Sequence, residues 1–190
     1  MQFFTKEEFK KIGLIFIVLL AVSFLNFKGS LRKARDAQRK ADLTFIREKL
    51  EEYQSEVGYY PPASGDGRIM GCRGEGTVVN LEFKRLENPA SCRWGEDGLI
   101  NYFSDTPKTI LERIPVDPQN GDGVRYFYRS NASRFQIYTS LEGKDDAEYN
   151  KKIEGLKIKC GTRICNFGRA FGDTPLDKTI QEYENELLKK

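Results

Sequence analysis

Residues 30–62 read SLRKARDAQRKADLTFIREKLEEYQSEVGYYPP, and the spacing of their apolar side chains decides the fold. Leu43, Ile46, Leu50, Tyr53 and Val57 recur at alternating steps of three and four, the period of one helix face. The stretch is rich in strong helix formers and has no proline before Pro61. Upstream, Ala34, Ala37 and Ala41 carry the rhythm with small side chains, and Asp36, four residues before Lys40, predicts an ion pair along the helix. Gly58 and Pro61 mark its end. A helix apolar on one face must be covered there by another element.

The helix extends towards the N-terminus. Residues 12–27 carry no charge, and at about 1.5 Å per residue they make roughly 24 Å of helix, against a hydrocarbon core of about 30 Å. Phe9 and the stems of Lys10 and Lys11 supply the missing turn by snorkelling. The start, with Lys6, Glu7, Glu8, Lys10 and Lys11, is mixed in sign, and the exit LNFKGSLRKARD is a poor signal-peptidase site, so a retained segment is expected. The expected whole is one rod of about fifty residues, on the order of 75 Å, apolar all round in its first half and on one face in its second.

VRYFYR (124–129) and RFQIYTSL (134–141) alternate apolar and polar residues around SNAS, the pattern of a β-hairpin, and a third strand is expected near Leu156 to Cys160. One sheet face would cover the helix stripe. Between helix and sheet, Ala63 to Asp97 is rich in Gly and charge and reads as an ordered loop, and a short helix is expected at Lys108 to Glu112. TPLDKTIQEYENELLKK (174–190) predicts a final helix with Thr174 as N-cap, Pro175 in the first turn, and Leu176, Ile180, Tyr183 and Leu187 on one face. Asn-Ala-Ser at 131–133 formally fits a glycosylation acceptor, but as a hairpin turn it needs no such role.

Composition excludes several classes. The 190 residues suit one domain with an appendage, and the net charge of +3, from 31 Lys and Arg against 28 Asp and Glu, is too small and too evenly spread to imply nucleic acid. With no His, a His-based triad or His-ligated zinc site is impossible. No nucleophile with a base, metal set or phosphate loop is visible, so neither an enzyme nor a cofactor is expected. The four cysteines, Cys72, Cys92, Cys160 and Cys165, fall into two sequence-local pairs that suit short disulfide loops in an oxidising compartment. Their spacings miss the usual C-x2-C zinc knuckle, and sequence alone leaves the connectivity open.

FTKEEFKKIGLIFIVLLAVSFLNF (4–27), KARDAQRKADL (33–43), GYYP (58–61), IPVDPQNGDGVRYFYR (114–129) and FQIYTSLE (135–142) together resemble a type IV pilin or type II secretion pseudopilin over roughly residues 4 to 142. KARDAQRKADL and IPVDP are the most specific pieces. The resemblance implies an α+β, pilin-like fold: a long N-terminal α-helix with a membrane-spanning first half, packed on a small antiparallel β-sheet, with a short C-terminal helix. Residues 1–29 would be the anchor and filament-core half of the helix, and residues 30–190 the extracytoplasmic globular domain.

It further implies a single-pass protein of the cytoplasmic (inner) membrane, held there through residues 12–27. Such a subunit assembles with other pilin-like subunits, through the inner-membrane assembly machinery, into an extracellular filament. Counting from Phe4, Glu8 stands where the family keeps its buried carboxylate, an assembly device because a lone carboxylate in an apolar bundle favours the one register in which an incoming amino terminus meets it; by its own neighbours Glu8 reads equally as an interfacial surface residue paired locally with Lys10 or Lys11.

The chain departs from that pattern at its start. Phe3 stands before Phe4, where the family has the Gly at which prepilin peptidase cuts, and Lys6, Glu7, Lys10 and Lys11 fill positions that the family keeps apolar. An unprocessed, membrane-anchored minor or priming component is therefore the alternative expectation. The basic flank of Lys28, Arg32, Lys33, Arg35, Arg39 and Lys40 would by itself favour a cytoplasmic domain, against the outward placement that the cysteines and the resemblance imply. Major pseudopilins bind calcium near the loop after such strands. Glu142, Asp145 and Asp146 are the nearby acidic cluster here, but their spacing matches poorly and a solvated charge run is expected instead.

Overall fold

A computed structural model describes residues 6–189; side chains are described for all of these except residues 6–7 and 22–26. Helix α1 is a single element, Lys6–Val57, of 52 residues. At 1.5 Å per residue it is about 78 Å long. Gly58 stops it by taking φ +97° while its N–H donates to the Gln54 carbonyl at 2.8 Å, and Pro61 and Pro62 follow. The stripe predicted on its second half is buried: Leu43, Ile46 and Leu50 are fully enclosed, with Tyr53 and Val57 nearly so. The small-residue extension is not. Ala34, Ala37 and Ala41 face outward, and the inward positions upstream of Leu43 are Arg39 and Asp36.

The chain then runs through β1 (Val78–Asn80), β2 (Arg85–Glu87), β3 (Leu99–Asn101), β4 (Lys108–Leu111), β5 (Phe127–Ser130), β6 (Phe135–Thr139), α2 (Lys151–Gly155), β7 (Lys159–Cys160), β8 (Arg163–Ile164), β9 (Phe167–Ala170) and α3 (Ile180–Leu187). All strand pairs are antiparallel: β1 with β2, β3 with β4, β7 with β8, and a three-stranded sheet in the order β5-β6-β9. The predicted hairpin is present with trimmed ends, Phe127 opposite Tyr138 and Ser130 opposite Phe135. Val124 joins only by a bridge to Gly161. A Cβ at Gly161 would overlap the Gly123 carbonyl oxygen, and its φ of +68° also suits glycine.

The alternating pattern of β6 hides a strand buried on both faces. Phe135 and Ile137 enter the main core beneath α1, whereas Tyr138 enters a second cluster with Ile153, Ile158, Cys160 and Cys165. Gln136 on that second face donates through Nε2 to the carbonyls of Pro175 (2.6 Å) and Lys178 (2.8 Å). Those bonds hold residues 174–178 out of helix. The C-terminal helix accordingly begins later than Thr174, with Thr179 as N-cap and a capping box closed by Glu182.

Two further expectations fail for the same reason, pairing with a distant partner. Lys108 to Glu112 is not helical, because Lys108–Leu111 forms β4 against β3 and buries Ile110 and Leu111. Leu156 to Cys160 is not the third strand of the main sheet. Leu156 caps α2, strand structure there is confined to Lys159–Cys160, and β9 takes the place beside β6. Two disulfides, Cys72–Cys92 and Cys160–Cys165, tie the 63–97 excursion and the β7–β8 turn, and all four half-cystines are buried.

Candidate functional site

Among the residues whose side chains are described, the first half of α1 carries a run of exposed apolar side chains. Phe9, Ile12, Leu14, Ile15, Phe16, Ile17, Val18, Leu19, Leu20 and Phe27 are all exposed large apolar side chains, with Leu14 at 65 % and Ile17 at 64 % of full exposure. So large a bare apolar surface marks a site of association with a partner or a membrane. Among the described residues no helix is long and apolar enough to cross a membrane. Glu8 lies exposed near the start of the helix, while Phe3 and Phe4 fall outside the described residues.

The second half is fastened by charge. Arg39 is fully buried and all five of its N–H donors are used. Nε and Nη2 fork onto the Asp117 carboxylate at 2.8 and 3.0 Å, Nη1 donates to Asp36 at 2.8 Å and to Glu142 at 2.9 Å, and Nη2 also reaches the Gln119 side-chain oxygen at 2.8 Å. Burial alone would lower the pKa of Arg39, but the hydrogen bonds that it donates to Asp117 and Glu142 outweigh it and the guanidinium is held charged. Asp36 is satisfied in turn by the Glu142 and Gly143 N–H groups, each at 2.9 Å, and Asp117 by the Gln119 N–H at 2.8 Å.

Around this centre Arg35 grips Glu142 bidentately at 2.6 and 2.7 Å. That pair, helped by Arg39, lowers the Glu142 carboxyl to about 2. Arg32 pairs with Asp145 at 2.9 Å, and Lys40 with Asp146 at 2.9 Å and Glu148 at 3.4 Å. The predicted Asp36–Lys40 pair is thus replaced by Asp36–Arg39 and Lys40–Asp146. The acidic run is likewise not simply solvated, because the basic segment of α1 lies along it. Asp42, partly buried, accepts from the Tyr126 hydroxyl at 2.7 Å, and desolvation raises its carboxyl.

The segments KARDAQRKADL and IPVDP, far apart in sequence, therefore meet in space, the first supplying Arg39 and the second Asp117. Sequence reasoning missed Arg39 because it sits among five other basic residues in the flank and looks like surface. The signal was present. Stepping back from Leu43 by four and then three, the alternation of the apolar stripe, lands on Arg39 and Asp36.

Other features offer less chemistry. A groove of about 690 Å³ lies between residues 147–153, Phe167–Arg169 and Pro175–Asp177, lined by charges of both signs, Lys151, Lys152 and Arg169 against Glu148 and Asp177. Among the described residues no group of three or more acidic or Cys side chains is placed to hold a metal ion. Asn131 is committed within the fold, accepting from the Arg134 N–H at 2.9 Å and donating to Glu184 at 2.7 Å. No protein-family model matches the chain, and neither does any curated protein or solved structure.

Proposed function

We propose that this chain is a non-enzymatic, pilin-like structural subunit of a type IV pilus or type II secretion pseudopilus, acting by helix-mediated assembly. The observation that carries the reading is the division of α1. Residues 12–20 in its first half are uncharged and carry a run of exposed large apolar side chains, and its second half is clamped to a disulfide-tied domain through a buried arginine. That division suits a helix that rests in a membrane before assembly and bundles with the helices of other subunits afterwards, leaving the domain outside. The disulfides suit an extracytoplasmic compartment. The basic flank, which by charge counting alone argues for the opposite orientation, has a structural task of its own, since Arg32, Arg35, Arg39 and Lys40 each bind a carboxylate of the domain.

A second reading keeps the same fold in an unprocessed, membrane-anchored minor or priming component. Phe3 in the position before Phe4, together with Lys6, Glu7, Lys10 and Lys11, favours it, because charged side chains are costly at positions that lie within an apolar helix bundle. N-terminal sequencing of the protein purified from its native membrane separates the two. A methylated start at Phe4 is the outcome expected of the filament subunit. Retention of Phe3 and the residues before it selects the minor component, and recovery of the protein from the soluble fraction removes both.

A further inference from the structure

The acidic residues after β6 carry the oxygen ligands that a calcium loop would use, and the resemblance to pseudopilins raises that expectation. The geometry does not fit an ion. Glu142 gives Oε1 to both Arg35 and Arg39 and Oε2 to Arg35. Asp145 receives Arg32 Nη2 on both oxygens at 2.9 and 3.0 Å. Asp146 receives Lys40 Nζ on both oxygens at 3.2 and 2.9 Å, and its Oδ1 also accepts the Glu148 N–H at 2.9 Å. Glu148 is shared between Lys40 and Arg169 of β9. Calcium takes about six to eight oxygens. Here the carboxylates are already bound by N–H donors, and an entering dication would meet four positive side chains within a few ångströms.

We infer that the helix takes the place of the metal: Arg32, Arg35, Arg39 and Lys40 hold residues 142–148 against α1, so that closure of the domain onto its helix needs no divalent ion. This stands on the contacts of one subunit and does not depend on the assembly reading. A site built from the chain's own cations is not emptied by low calcium or by a chelator. It responds to ionic strength instead, chiefly at its exposed rim, where the Asp145 side chain is 68 % and the Arg32 side chain 37 % exposed.

The test is thermal unfolding of the full chain in detergent micelles, in EGTA and in millimolar calcium. The wild type is expected to melt at the same temperature in both. Arg32→Ala/Lys40→Ala, which leaves the buried Arg39 and neighbouring Arg35 on Glu142, is expected to melt roughly 3 °C lower in EGTA and to recover part of that loss in calcium, because Asp145 and Asp146 are then unneutralised. The charge-conserving Arg32→Lys/Lys40→Arg is expected to melt close to the wild type. Calcium-dependent melting of the wild type overturns the inference, as does a double alanine variant that melts with the wild type in EGTA. A variant destabilised equally in both conditions also overturns it, since the loop is then no latent ion site.

Discussion

Two arginines share the carboxylate of Glu142, and the pH dependence of the fold follows from that geometry. With Arg35 as the main cause, the folded-state carboxyl sits at about 2 against an ordinary 4.5. A group depressed on folding contributes stability that is complete above its unfolded value and is lost as pH falls towards the folded one. Between about pH 4.5 and 2 this site is expected to cost about 3 kcal/mol of stability. Asp42 works in the opposite sense, because desolvation raises its carboxyl and protonation there favours the folded state. Urea unfolding followed by circular dichroism should therefore show Glu142→Gln less stable than wild type near neutrality, with a flatter loss on acidification. A variant that keeps the wild-type acid slope would remove Glu142 as its source.

Within α1, the two halves differ in burial and should respond differently to mutation. Leu50 is fully enclosed in the main core, so Leu50→Ala is expected to cost roughly 2 to 5 kcal/mol in unfolding experiments. Phe16 is 61 % exposed and lies outside the domain core, so Phe16→Asp should leave the unfolding midpoint unchanged, and on the proposed reading it should also weaken association of the chain with membranes in a sedimentation assay. The second half of the helix was legible because its period is local and its stop is written in Gly58 and Pro61. So was the β5–β6 hairpin, where a short turn joins two alternating runs. β4 and β9 were not legible, because each is specified by a partner elsewhere: Leu111 pairs with Leu99, and Phe167 with Thr139. The start of α3 was misread for a related reason, since it is Gln136 of a distant strand that takes up the carbonyls of Pro175 and Lys178.

At the scale of the molecule, helix α1, the three-stranded sheet and the β3–β4 ribbon share the main core, the β7–β8 ribbon joins the second cluster, and the excursion carrying β1 and β2 between Cys72 and Cys92 adds no buried apolar side chain to either. Val78, Leu81 and Phe83 in it remain exposed. The Cys72–Cys92 bond, spanning 20 positions, is what joins this excursion to the core at its root. By the loop-closure argument its removal costs about 3 kcal/mol. Cys72→Ser/Cys92→Ser is expected to melt at a lower temperature than wild type, and reductant should lower the wild type towards the variant. Equal melting of the two under oxidising conditions would show the excursion to be held without its disulfide.

The clamp between α1 and the domain also has a mechanical meaning. A pull along the N-terminal end of the rod runs down an unbranched helix and loads Arg32, about two turns before Arg39, and Arg35, about one turn before it. These bonds project sideways from the helix, so an axial force loads them in shear and together, along with the apolar stripe behind them, rather than peeling them apart singly. Tension on the tail would thus be resisted by the whole joint at once, and rupture would come as one event.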